Sequence, residues 1–239
     1  MTSILKVSSL SKSFFNSSPG FFYKKKFEKI VLKDIDFNAK ERDCIALLGE
    51  NGSGKTTLLK LIAGLLSCDK GSVKNNLNMA FDPTKISLVN SNERSFFWRL
   101  SVGENLKFFC SLSNQDSLKK IKETLSLLKV SDKVNLPFMN LSQGEKKKIS
   151  IARALLSGSK ILLLDEFTNS LDINAKKLVI STLRGLLNEN HLQLIIFATH
   201  SIDEVLSLSN RLIYIKDKTI FEDRKVNKET QFSDIEILF

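Results

Sequence analysis

Short apolar runs punctuate the chain at 44–48, 86–89, 161–164 and 194–198, each continuous rather than alternating and each bounded by polar turns. Strands buried on both faces of a parallel sheet have this pattern. Between the runs the apolar spacing changes to threes and fours: over 56–66, at Leu118, Ile121, Leu125 and Leu128, at Ile149, Ala152 and Leu156, and over 178–187. That spacing predicts amphipathic helices, and the alternation of the two patterns predicts an α/β fold with a mainly parallel sheet. From 101 to about 140 no strand pattern occurs, so a helical subdomain, bounded at about 93–145, is expected between two sheet strands. Residues 211–215 and 218–221 predict a closing hairpin, and 222–239 reads as a polar tail with a small apolar end. No internal repeat interrupts the order, and one domain is expected over 1–239.

The length of 239 residues is ample for a real core. Apolar runs such as 61–66 and 194–198 are far shorter than the roughly 20 residues of a membrane helix. The opening MTSILKVSSLSKSF has no continuous apolar stretch, so no secretory signal is read there and the chain is expected to stay in the cytoplasm. Cys44, Cys68 and Cys110 are odd in number and widely spaced, which points to neither a disulfide framework nor a zinc site. The net charge is +10, and residues 1–40 hold eight Lys against three acids. A basic excess of this kind suits nucleic acid, an anionic membrane surface or a solvated face alike.

Glycine is scarce, at 10 residues, yet Gly49, Gly52 and Gly54 fall within one short segment. The segment from Gly49 to Thr56, GENGSGKT, follows one predicted strand and opens a predicted helix, which is the phosphate-binding loop pattern. Backbone N–H groups of such a loop turn inward on phosphate oxygens, and the helix N-terminus adds partial positive charge. Asn51, Gly52, Ser53, Gly54, Lys55, Thr56 and Thr57 are the candidate binding residues, with Lys55 on the β and γ phosphates and the Thr56 hydroxyl on Mg²⁺. The run ILLLDE ends a strand in Asp165 and Glu166 at the same sheet edge. Asp165 suits the Mg²⁺ shell and Glu166 suits polarisation of an attacking water. Leu141-Ser142-Gln143-Gly144-Glu145 has the spacing of a capping box, and equally offers an anion the Ser142 hydroxyl and free N–H groups.

At this point the chain resembles the ATP-binding cassette (ABC) family. The family signature, usually LSGGQ, stands here as LSQGE followed by KKKISIARAL; Ser142 and Gly144 match, while Gln143 and Glu145 depart. Asn169-Ser170-Leu171-Asp172 is similar to the D-loop, and Ala198-Thr199-His200 to the strand end that carries the switch histidine. The resemblance covers about residues 4–221. It implies a P-loop nucleotide hydrolase core with an N-terminal antiparallel β portion and an inserted helical subdomain. It implies ATP and Mg²⁺ as cofactors, Glu166 and His200 as catalytic residues, and a second copy of the chain forming a head-to-tail ATP sandwich. It further implies membrane-spanning permease subunits as partners, a peripheral position on the cytoplasmic face of the membrane, and no nucleic-acid partner.

Phe14 stands where the family places an adenine-stacking aromatic, with Phe15 second. Lys24 to Lys26 lie in a segment that either faces lipid headgroups or is merely solvated. Where the family carries a Gln after the strand at 86–89, this sequence reads Asn90-Ser91-Asn92-Glu93; Asn92 is favoured over Ser91 as the replacement near Mg²⁺. The stretch ERSFFWRLSVGENLKFF is similar to that of ABC ATPases working with type-two exporter partners. Export of a polysaccharide, lipid-linked glycan or drug-like molecule is the expectation, with a soluble cassette acting on nucleic acid or ribosomes as the alternative. Phe96, Phe97 and Trp98 are candidates either for a groove that receives a partner helix or for packing within the helical subdomain.

Overall fold

The computed structural model describes residues 3–17, 26–75, 85–90, 95–112, 118–227 and 229–237. Asn92, Ser91, Lys24 and Lys25 lie outside the described residues. Two long strands, β1 (Ser3–Ser17) and β2 (Lys26–Lys40), pair antiparallel, and β4 (Lys70–Asn75) joins the other side of β1. A second sheet has six strands in the order β5 (Ile86–Val89), β6 (Ile161–Asp165), β7 (Leu194–Ala198), β3 (Asp43–Leu48), β8 (Arg211–Lys216) and β9 (Thr219–Lys225). All of its pairings are parallel except β8 with β9.

Each inner strand reads as an unbroken apolar run because its alternate residues serve two different cores. Cys44, Ala46 and Leu48 of β3 face the larger core, while Ile45 and Leu47 face the smaller. Leu162 and Leu164 of β6 and Ile195 and Phe197 of β7 share the first face; Ile161, Leu163, Leu194 and Ile196 share the second. The smaller core is closed by α1 (Lys55–Ile62) and the β1–β2 layer. The larger is closed by α2 (Val102–Leu112), α3 (Leu118–Leu127), α4 (Gln143–Leu156), α5 (Ile173–Asn188) and α6 (Ile202–Leu208).

Three details differ from the sequence pattern. Helix α1 ends at Ile62, four residues before the apolar spacing does, because Gly64 adopts the left-handed conformation (φ 71°) and Leu65 N–H closes on Lys60 O at 2.9 Å. Strand β5 is an edge, not a strand buried on both faces: Ser87 Oγ lies 2.7 Å from Ser157 Oγ and 2.8 Å from Ser159 Oγ. The polar tail is folded as well. After β9 the chain forms α7 (Phe232–Glu236), and Val226 and Ile235 are buried in the larger core.

Candidate functional site

The carboxyl ends of β3, β6 and β7, three neighbouring strands, bring together three segments far apart in the sequence. In an open α/β sheet this edge is where ligands bind. A cleft of about 260 Å³ there is lined by Lys29, Val31, Asn51, Gly52, Gly54, Lys55, Thr56, Thr57, Glu166 and His200.

The loop after β3 owes its path to glycine. Gly49, Gly52 and Gly54 have φ of 147°, 82° and 106°, which L side chains rarely adopt. Helix α1 therefore starts directly under the loop at Lys55. Lys55 is buried, and its Nζ donates to Gly49 O at 2.7 Å and Glu50 O at 3.0 Å, spanning the loop from within. Burial pushes the Lys55 ammonium below its ordinary pKa, against the opposing pull of Glu166 and Asp165.

Asp165 ends β6 and accepts the single Thr56 hydroxyl proton, shared between its Oδ2 at 2.9 Å and its Oδ1 at 3.1 Å. Burial raises the Asp165 pKa; the Thr56 hydrogen bond opposes this, and the neighbouring Glu166 charge adds to it. Glu166 follows with φ 47°, strained for a non-glycine residue, and its N–H donates to Ala198 O at 3.1 Å. Its side chain turns away from Asp165 toward β7. Oε2 accepts Asn169 Nδ2 at 2.8 Å, and Oε1 lies 3.5 Å from His200 Nε2.

The cleft fits a phosphate chain with a hard cation. Ser53 Oγ is buried with no hydrogen-bond partner, and a Cβ built at Gly52 would meet nothing within 4 Å, so the loop presents a donor and open space together. Thr56 and Asp165 are the oxygen-bearing side chains that could hold the cation. Among the described residues no cluster of three or more His, Cys, Asp or Glu could cage a metal alone.

Other candidates lie elsewhere. Phe14 is not among the cleft-lining residues, but it stands opposite Lys29 in the β1–β2 ladder, with Lys12 Nζ 5.5 Å from its ring. Ser142, Gln143 and Gly144 begin α4, away from the cleft of their own chain. Ser142 caps α4 by accepting Glu145 N–H at 3.3 Å, while Glu145 accepts the Ser142 N–H at 2.8 Å. A Cβ at Gly144 would come 3.0 Å from Ser170 O, so α4 begins against the segment after Glu166. The aromatic trio divides: Phe96 is 4% exposed and stacks on Phe138 with centroids 4.2 Å apart, whereas Phe97 and Trp98 are each 46% exposed. Buried Asn105 fixes this segment, accepting Phe97 N–H at 2.8 Å and donating to the carbonyls of Phe97, Leu100 and Ser101. The sequence reading missed Lys29 and Val31 as cleft residues; their only signal is strand alternation in a segment dominated by its lysines.

A phosphate-binding loop, a strand-end Asp–Glu pair and a facing histidine on a parallel sheet define a P-loop nucleotide hydrolase. The family described as ABC transporter matches residues 32–169. The energy-coupling factor transporter ATP-binding protein EcfA1 of Ligilactobacillus salivarius is 33% identical over 82% of this chain and 72% of its own length. The macrolide export ATP-binding/permease protein MacB of Aggregatibacter actinomycetemcomitans is also 33% identical, over 81% of this chain but 31% of the relative. The chain spans little more than half the length of several import ATP-binding relatives. A dimeric ATP-binding cassette solved in a post-hydrolysis state with ADP and Pi superimposes with a TM-score of 0.80 at 24% identity, covering 94% of this chain and 99% of that one. The chain belongs to the ABC transporter family: it is an ATP-binding subunit and an ATPase using ATP with Mg²⁺. No helix among the described residues is long and apolar enough to cross a membrane.

Proposed function

We propose that two copies of this chain sandwich ATP head to tail and that hydrolysis drives export through separate membrane-spanning subunits, from the cytoplasmic face of the membrane. The observation that carries the reading is a division within the chain. Lys55, Thr56, Asp165, Glu166 and His200 converge on one cleft, while Ser142 and Gly144 stand at a helix N-terminus outside it. A second copy would bring its own α4 N-terminus to the open side of the cleft.

In this reading Lys55 exchanges its bonds to the Gly49 and Glu50 carbonyls for bonds to the β and γ phosphates. Asn51, Gly52, Ser53, Gly54 and Thr57 line the phosphate path, and Phe14, across from Lys29, offers its ring to adenine. Thr56 and Asp165 hold Mg²⁺, which when bound neutralises charge on the β and γ phosphates; Asn92 is the proposed further ligand. Glu166 takes the proton of the attacking water as its oxygen reaches the γ phosphorus and ADP leaves. His200, beside Glu166, steadies that carboxylate and the γ phosphate. From the partner copy, Ser142, Gln143 and Gly144 face the same phosphate. The chain acts as one cassette, with 93–145 as its helical subdomain. A membrane subunit as partner is supported by the half-exposed Phe97 and Trp98, an apolar patch suited to such a contact, and export by a relative named for macrolide export, while other relatives are named for import.

The experiment compares two variants. Glu166→Gln should lower turnover by at least about 10²-fold yet retain ATP and accumulate as a dimer, while Lys55→Ala should lose nucleotide binding itself. Equal loss of ATP affinity in both overturns the assignment. Inside-out vesicles carrying the membrane subunits should accumulate substrate when supplied with ATP if transport is outward. Tight ATP-dependent binding of DNA or ribosomes instead would favour the soluble alternative.

A further inference from the structure

Beside the cleft lies a polar cluster whose members are not among the residues that line it. Glu204, in the first turn of α6, is 3% exposed. Its Oε1 accepts the Thr168 hydroxyl and Lys176 Nζ, the latter at 2.7 Å, and its Oε2 accepts the Thr199 hydroxyl at 2.6 Å. Thr199 in turn accepts Ser201 N–H at 3.0 Å, and its own N–H donates to Leu47 O, at the end of β3, at 3.3 Å. Lys176 also reaches Ser201 Oγ at 3.2 Å. One carboxylate thus ties together the segment after β6, the end of β7, α5 and α6.

The positions of these partners give the cluster its meaning. Thr168 is two residues past Glu166, and Thr199 immediately precedes His200. The Glu166 and His200 side chains are both well exposed and meet across 3.5 Å. They lie at the ends of separate strands, so their mutual placement depends on what holds the two backbones behind them. The Glu204 carboxylate is buried while Lys176 is partly exposed, and the hydrogen bonds that the carboxylate accepts, each directional, constrain the segments that they join.

We infer that Glu204 is a positioning residue for hydrolysis: by binding Thr168 and Thr199 at once, it holds Glu166 and His200 at the separation the water attack needs. The inference rests on the assignment of Glu166 and His200 proposed above. A misplacement of about 1 Å at such a pair costs on the order of 10²-fold in rate, whereas the phosphate-binding loop, anchored on β3 and α1, is left in place. Glu204→Gln and the near-isosteric Thr199→Val and Thr168→Val should therefore lower kcat by about 10- to 100-fold. Their KM for ATP should stay within about threefold, the split expected when an interaction made only in the transition state is lost. Thr199→Ser and Thr168→Ser, which keep the hydroxyl, should restore most of the rate. Thr199→Val added to Glu204→Gln should cost little more, since both break one network.

The test is steady-state ATPase kinetics of the full chain with Mg²⁺, with the folded fraction of each variant measured by circular dichroism. Unchanged kcat in the two valine variants overturns the inference, as does a fall in kcat that only tracks the unfolded fraction. Should Glu204→Gln not fold, the valine and serine variants decide alone. Glu166→Gln is run beside them: if it keeps turnover, the underlying assignment fails, and if it is inactive while the cluster variants match the wild type, the positioning role alone fails.

Discussion

Gly49 illustrates how much of the site is decided by single residues. A Cβ there would run into Ile215 O and come 2.7 Å from Ser53 Oγ, at a φ of 147° that an L side chain resists. Gly49→Ala is expected to destabilise the fold by about 2 kcal/mol or more, read as a lower urea midpoint at unchanged slope, and to weaken ATP binding by moving the carbonyl that Lys55 grips. An unchanged midpoint would mean that the loop relaxes freely. The loop was legible in the sequence because its chemistry is local: glycine, lysine and threonine at fixed offsets between a strand and a helix. The aromatic trio was not legible in the same way. Phe96, Phe97 and Trp98 are consecutive, and contacts from distant segments, the rings of Phe138 and Phe109 and the Arg153 guanidinium on Phe96 together with the hydrogen bonds of Asn105, decide which of them is buried.

At the scale of elements, helix α4 shows a local signal that carries through to energetics. Lys133 Nζ lies 3.1 Å from Glu145 Oε1, and Ser142 supplies backbone and hydroxyl donors to the same carboxyl group. The Ser142 N–H above all, with the Ser142 hydroxyl and Lys133, holds the Glu145 carboxyl below the usual glutamate range despite partial burial. A carboxylate whose pKa is depressed by folding stabilises the protein above its unfolded pKa of about 4.3, and that stability is lost as pH falls through the lower folded value. Glu145→Gln is therefore expected to cost about 1 kcal/mol near neutral pH and nothing once the wild-type carboxyl is protonated. Urea midpoints across that range check it, and a cost that persists undiminished in acid would argue for shape rather than charge. Strands β3, β6 and β7 were legible because burial on both faces writes a continuous apolar run, and β8 with β9 because two short runs flank a turn. Helix α7 was not: it is five residues long and held by Ile235, too little for a period to show.

For the whole molecule, the separation of the α4 N-terminus from the cleft makes a prediction that one chain alone cannot satisfy. If each ATP is held by the loop of one copy and the α4 N-terminus of the other, Lys55→Ala and a signature variant damage different halves of every site. Ser142→Asp is the suitable signature variant. Aspartate caps a helix about as well as serine, so α4 should keep its start although the Ser142 hydroxyl's bond to Glu145 is lost, while the added charge repels an approaching phosphate. Introduced separately into a Glu166→Gln background, each change should abolish the ATP-dependent dimer seen by light scattering. Mixed in equal amounts, the two variants should recover it in part. In a mixed pair one site carries both defects and the other carries neither, because the loop of the Ser142→Asp copy meets the α4 N-terminus of the Lys55→Ala copy. Recovery of ATP-dependent dimer in the mixture, with none in either variant alone, is the expected result. No recovery at any ratio, with both variants folded, would mean that loop and signature do not meet across two copies and that the head-to-tail arrangement is wrong.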